Sequence, residues 1–140
     1  MKNTTRILVK FSELDPMFRV WHGNYVKYFE DGREAFGKEF PGCDYSIMMQ
    51  TGITAPIYDL KIKYLAPLSM NDVAVIHTTY VPKHGARLDY KYEIYRESDG
   101  MLCCTGSTTQ LFIDTQGNQL LEEPDFYLEW KNKNGLYDFP

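Results

Sequence analysis

The polar and apolar positions of the chain change period twice. Residues 4–11 read as a first strand, with charged and apolar side chains alternating loosely. Residues 24–40, NYVKYFEDGREAFGKEF, follow a helical period instead. At 100° per residue, Tyr25, Phe29, Gly32, Phe36 and Phe40 fall within about 80° of one another, flanked by Val26, Tyr28 and Ala35. Lys27, Glu30, Asp31, Glu34 and Lys38 take the opposite arc. Asn24 is placed to cap this helix and Pro41-Gly42 to end it. A glycine at 32, inside the buried face, implies that another backbone passes close by.

Residues 43–53 read as a loop. Beyond them the period falls to two. Tyr58, Leu60, Ile62 and Tyr64 alternate with Asp59, Lys61 and Lys63, and Leu88, Tyr90, Tyr92 and Ile94 alternate with Asp89, Lys91 and Glu93. Strands are therefore expected over 57–65, 73–82, 87–97 and 101–114, with turns at 66–72 and at Asp99-Gly100. The order is strand, long helix, four strands. Short connections favour antiparallel pairing, and a five-stranded sheet and one long helix can bury each other. In the tail, EEPDFYLEW suits a short helix entered at Pro124, and NKNGLYDFP reads as coil. Its aromatic residues imply that it docks on something.

Composition narrows the classes without choosing one. The 140 residues suit a single domain, and hydrophobic (44%) and charged (24%) fractions are those of a globular protein. Aromatic residues reach 15%, with eleven tyrosines, which suits interfaces as well as a core. A net charge of −4 and the absence of a Lys/Arg run argue against a nucleic-acid partner. No stretch is apolar enough to span a membrane and the start has no secretory h-region, so a cytoplasmic location is expected. Cys43, Cys103 and Cys104 form neither a disulfide framework nor a zinc motif. His77 and His84 lack ligand-spaced partners, so no metal is expected, and His77 sits at a packed strand position. Ser107, Thr108 and Thr109 have no nucleophile elbow around them.

Chemistry concentrates in FSELDPMFRVWHGNYVKYFE, which joins the first strand to the helix. Asp15 precedes Pro16 at a fixed turn, and Trp21, His22 and Asn24 lie just before the helix. A helix N-terminus offers unpaired N–H groups and a partial positive charge. A carboxylate beside such donors can serve acyl transfer: the carboxylate activates water or attacks, and the N–H groups hold the oxyanion. On residue type alone, an aspartate before proline is usually a turn former and a histidine near a helix start more often a surface or capping residue than a base. Tyr25 and Phe29 fit a core as well as a ligand wall, and Glu30 faces solvent.

The pattern D-P-x-x-x-V-W-x-x-N-Y, here Asp15, Pro16, Val20, Trp21, Asn24 and Tyr25, resembles the signature of the 4-hydroxybenzoyl-CoA thioesterase group of the hotdog superfamily. KIKYLAPLSMNDV and TGSTTQLFIDTQG are similar to later strands of that family. The resemblance implies an α+β hotdog fold, an antiparallel five-stranded sheet wrapped around one long helix. It divides the chain into a domain over residues 1–121 and a C-terminal extension over 122–140 that packs on the domain or a neighbouring subunit. It implies hydrolysis of an acyl-CoA or acyl-carrier-protein thioester. Asp15 would be general base or nucleophile, and the His22 N–H would polarise the carbonyl. Trp21, Asn24 and Tyr25 would line the substrate site. No cofactor is implied beyond the CoA of the substrate, and the expected assembly is a homodimer or homotetramer with active sites between subunits. Phe18 stands where the family usually has glycine, which puts the shape of the acyl pocket in question. The alternative is a non-catalytic acyl-CoA-binding or regulatory hotdog protein. Phe40-Pro41-Gly42 resembles a dehydratase motif but follows Glu39 where that motif has histidine, and it ends the helix instead of preceding it.

Overall fold

A computed structural model describes residues 1–136, so the last four residues of the expected terminal coil lie outside the described range. The elements run β1 (Lys2–Leu8), a 3-10 turn (Phe11–Glu13), α1 (Asn24–Glu39), α2 (Tyr45–Thr51), β2 (Ile57–Tyr64), β3 (Val73–Val81), β4 (Arg87–Arg96), β5 (Met101–Leu111) and α3 (Asp125–Lys133). The strands form one antiparallel sheet in the order β1-β3-β4-β5-β2. This is the α+β arrangement expected, with α1 held against one face.

The apolar stripe of α1 sets how it lies on the sheet. Tyr25, Tyr28, Phe29 and Phe36 are all buried. Phe29 stacks on Tyr92 of β4 at 4.2 Å, and Phe36 meets Tyr90 edge-on at 5.2 Å. Each such side chain contributes roughly 1.5–3 kcal/mol through burial. Two glycines make the fit possible. A Cβ at Gly106 of β5 would enter the Phe29 ring, and one at Gly32 would collide with Thr78 and Ile76 of β3. The close neighbour of Gly32 is thus a pair of side chains, not the backbone expected from the sequence. Asn3 of β1 reaches across and donates to Glu39 Oε1 at 2.8 Å, which ties the far end of α1 to the edge of the sheet.

Equal alternation conceals unequal burial. Leu88, Tyr90, Tyr92 and Ile94 of central β4 are at most 5% exposed, whereas Tyr58, Leu60 and Tyr64 of edge strand β2 are 39–75% exposed. The tail returns to the same core. Phe126, Tyr127 and Trp130 of α3 are buried; Tyr127 shares a 2.7 Å hydrogen bond with the Tyr80 hydroxyl, and Trp130 Nε1 donates to Phe40 O at 2.8 Å.

Three local expectations change. The segment 43–53 is not all loop. Asp44 accepts from Ile47 N at 3.1 Å and Gly52 closes the helix at φ +75°, so α2 has a cap at each end around seven residues, too few to show a period. β1 starts at Lys2 and ends at Leu8 instead of running over 4–11, because Phe11–Glu13 turn away as a 3-10 turn. Asn24 does not cap α1. Gly23 holds that position with helical dihedrals and no side-chain cap, while Asn24 Nδ2 donates to Glu13 O at 2.9 Å.

Candidate active site

Between β1 and α1 the chain makes a small hairpin. Leu14 bridges Val20 and Arg19 bridges Ser69. Asp15 begins its tip: Asp15 N donates to Arg19 O at 2.7 Å and Phe18 N to Asp15 O at 3.0 Å. The side chain completes the turn, since Asp15 Oδ1 accepts from Met17 N at 2.8 Å and Arg19 N at 3.3 Å. Asp15 Oδ2 has no protein partner among the described residues. The carboxylate is therefore fixed by one oxygen and open at the other. The tip is tight enough to hold Phe18 at φ +61°, a left-handed conformation that glycine adopts without strain. The Phe18 side chain is 67% exposed.

A second carboxylate forms the floor. Glu13 is 6% exposed, and its Oε1 accepts from the Tyr28 hydroxyl at 3.0 Å and from Lys10 N at 2.8 Å. Its backbone carbonyl takes Trp21 N at 2.9 Å and Asn24 Nδ2 at 2.9 Å. Glu13 thus joins the 3-10 turn, the hairpin exit and the first turn of α1. Burial and the bond to Glu13 hold the Tyr28 hydroxyl well above the usual tyrosine range. Reading the sequence missed this role, and no spacing or motif marks Glu13.

The helix entrance is lined by rings. Trp21 lies over Gly23, where a Cβ would strike the indole. The His22 ring sits 4.9 Å from that of Trp21 and 6.4 Å from that of Tyr64. Tyr64, on β2, donates its hydroxyl to His22 O at 2.7 Å and packs edge-on against Tyr25 at 5.1 Å. Tyr25 is 3% exposed; burial pushes its hydroxyl up to about 12, with the Leu68 amide opposing the shift. Among the described residues, the N–H groups of His22 and Gly23 have no hydrogen-bond partner. They are the free donors that a helix start leaves.

The structure therefore gathers Trp21, His22, Asn24 and Tyr25 at one end of α1, with Asp15 on the hairpin that feeds it. Asn24 anchors to Glu13, and Tyr25 is a buried wall residue more than an exposed contact. Tyr64 joins them from 39 residues further along the chain than Tyr25, a partnership that no local pattern could reveal. His77 is elsewhere: it hydrogen-bonds Thr4 at 2.8 Å on β1. Among the described residues no group of three or more His, Cys, Asp or Glu side chains could hold a metal, and no helix is long and apolar enough to cross a membrane.

Comparison with known proteins agrees with this geometry. Residues 9–131 match the thioesterase-like superfamily. YneP of Bacillus subtilis strain 168, which carries the name of an acyl-CoA thioesterase, is 31% identical over 124 residues, 89% of this chain and 88% of its own. The DHNA-CoA thioesterase of Staphylococcus aureus superposes with a TM-score of 0.85 at 27% identity, over 96% of this chain and 92% of that one. A 4-hydroxybenzoyl CoA thioesterase shares the fold at 19% identity, with a TM-score of 0.79 over 92% of this chain and 97% of its own. The hairpin, the long helix seated on a five-stranded sheet and these relatives lead to one assignment: the chain belongs to the thioesterase-like superfamily, as a hotdog-fold thioester hydrolase.

Proposed function

We propose that the protein hydrolyses acyl-CoA thioesters at the hairpin and helix entrance, with Asp15 as the reacting carboxylate. One observation carries this reading: Asp15 is pinned through Oδ1 by two backbone amides, leaves Oδ2 open, and lies on the loop that presents the unpaired N–H groups of His22 and Gly23. Those amides stabilise negative charge as it develops on the thioester oxygen, a contribution typically worth about 10²–10³ in rate per donor. Asp15 either takes a proton from the attacking water or attacks the carbonyl to give an anhydride that water then opens. In both routes the C–S bond breaks, CoA leaves as the thiol with one proton, and the acyl group leaves as the free acid. Trp21, Asn24 and Tyr25 shape the entrance, and the His22 ring stays exposed beside it. No metal or redox group enters this chemistry; CoA arrives with the substrate, in the cytoplasm. An acyl-carrier-protein thioester would present the same bond.

The assembly that goes with this reading is a homodimer, or a pair of dimers, joined along β2. Support comes from the family and from β2 itself, an edge strand that among the described residues pairs with β5 alone and leaves Ile57, Tyr58, Leu60 and Tyr64 exposed. An unpaired apolar edge invites another strand.

A panel of acyl-CoA esters assayed for thiol release tests the function. The wild-type chain is expected to release CoA from at least one ester, and Asp15→Asn to lose at least 10²-fold in kcat. Tight ester binding without thiol release would favour a non-catalytic acyl-CoA-binding protein. Full turnover by a folded Asp15→Asn variant would remove Asp15 from the mechanism.

A further inference from the structure

At the opposite end of α1 the fold leaves a cleft of about 290 Å³ between the helix, α2 and the sheet. Two of its lining groups are unusual. Arg33 is half-buried, and among the described residues its hydrogen bonds go to two tyrosine hydroxyls, Tyr45 at 3.2 Å and Tyr92 at 3.0 Å. No carboxylate pairs with Arg33 among the described residues, and its Nη2 makes no hydrogen bond there. Glu34 and Lys38, the exposed charges at the rim, pair with each other at 3.7 Å, and Asp44 is engaged as the cap of α2. Gln110 is 3% exposed and donates through Nε2 to Ala55 O at 2.6 Å, but its Oε1 is buried without a partner among the described residues. A buried acceptor left unmet costs about 1–3 kcal/mol, so natural proteins retain few of them without cause. Apart from Ser46, the rest of the lining is apolar, chiefly Met48, Leu88 and Tyr90.

These features specify a ligand. An anionic acceptor answers Arg33, whose fork suits a carboxylate. A hydroxyl or N–H donor answers Gln110. The body between them is apolar and compact enough for the cleft. We propose that this cleft binds a small hydroxylated organic acid, its carboxylate on Arg33 and its hydroxyl on Gln110. The site stands apart from the Asp15 end of the same chain. Tyr64, beside His22, pairs with Cys104, whereas Gln110 lies opposite Ile57, six residues along β5 and about 20 Å away. The acid comes from one of two sources: a free effector, or the far end of the acyl group of a substrate, and only the latter rests on the hydrolytic reading.

Calorimetric titration with 3-(hydroxyphenyl)propionate, 3-phenylpropionate and the methyl ester of the first tests the proposal on the full chain. The hydroxy acid is expected to bind tightest, with the ester at least tenfold weaker. Arg33→Met is expected to weaken the acid at least tenfold, Arg33→Lys to retain part of the binding, and Asp15→Asn to leave it unchanged. Thermal melts of both Arg33 variants show whether the fold persists, and the acid-to-ester ratio in wild type stands whatever those melts show. Equal affinity for acid and ester, no binding at millimolar concentration, or binding lost in Asp15→Asn and kept in folded Arg33→Met would each overturn the site. The source is then read from hydrolysis. Arg33→Met raises KM selectively for acyl-CoA esters with a terminal carboxylate if the acid is part of a substrate, and leaves hydrolysis unchanged if it is a separate effector.

Discussion

At the Asn24 end of α1, the side chains that matter include a half-buried Asp15 held by backbone amides and the exposed Trp21 and His22. At the Glu39 end, they are buried rings held by one another. Asp15 and His22 sit at the first, on a hairpin whose tip keeps Phe18 in a left-handed turn. Around the second, Trp130 touches Phe36, Tyr80 and Tyr127 with ring centroids 5.1–6.3 Å apart. The difference separates two tasks within one helix. Packing at the Glu39 end fixes where the helix lies, so the Asn24 end can leave the His22 and Gly23 N–H groups without a partner among the described residues. The connection between them is the Phe29–Tyr92 stack and the Glu13 floor, which transmit position without needing the exposed residues.

Removing the anchor should give the largest effect. Trp130→Ala deletes a fully buried indole and its bond to Phe40 O, and is expected to cost about 3–5 kcal/mol in denaturant unfolding. The specific activity of the molecules that remain folded should change little. Asp15→Asn is the mirror image: a kcat loss of at least 10²-fold with a melting temperature within a degree or two of wild type. A large drop in stability there would mean that the two ends are not separable. Glu13→Ala probes the join. It strands the Tyr28 hydroxyl and should cost about 1–3 kcal/mol, with an activity loss smaller than that of Asp15→Asn. Phe18→Gly relaxes the hairpin tip and should raise stability by roughly 0.5–1 kcal/mol, read as a higher melting temperature.

The effect that is smallest at neutral pH is a pH dependence. The Tyr25 hydroxyl is raised from 10.0 to about 12 by burial, so its folded-state value lies above its unfolded one. The stability linked to it is complete below pH 10 and falls away as the pH rises from about 10 to 12. Tyr25→Phe should flatten that part of the stability profile while leaving the neutral range unaltered.

How much of this was legible in the sequence follows from what each signal measures. The helix over 24–40 was readable because four buried rings recur at its period over 16 residues. The strands were readable for the same reason, but their depth was not: Tyr58 and Tyr90 occupy equivalent places in two alternating runs, yet one is 75% exposed and the other 5%. Alternation reports which face a side chain takes, whereas sheet order decides whether that face is covered. α2 escaped because its signals, Asp44 and Gly52, are caps without a period between them. At the site, the family pattern located Asp15, Trp21, His22, Asn24 and Tyr25 together. Glu13 and Tyr64 escaped because they act through contacts 15 and 42 residues apart in the chain.

The free edge of β2 has a consequence for how the two ends of the molecule count. A strand that joins a copy of itself about a twofold axis runs antiparallel, so its ends trade places: the Ile57 end of one copy comes beside the Tyr64 end of the other. The roughly 20 Å along β5 between the level of Tyr64 and that of Gln110 is then not the separation between a cleft and the nearest helix entrance in the pair. Each copy would lend one half to each of two composite sites. A mixed pair, one chain carrying Asp15→Asn and the other Arg33→Met, would hold one site with both halves intact and one with neither.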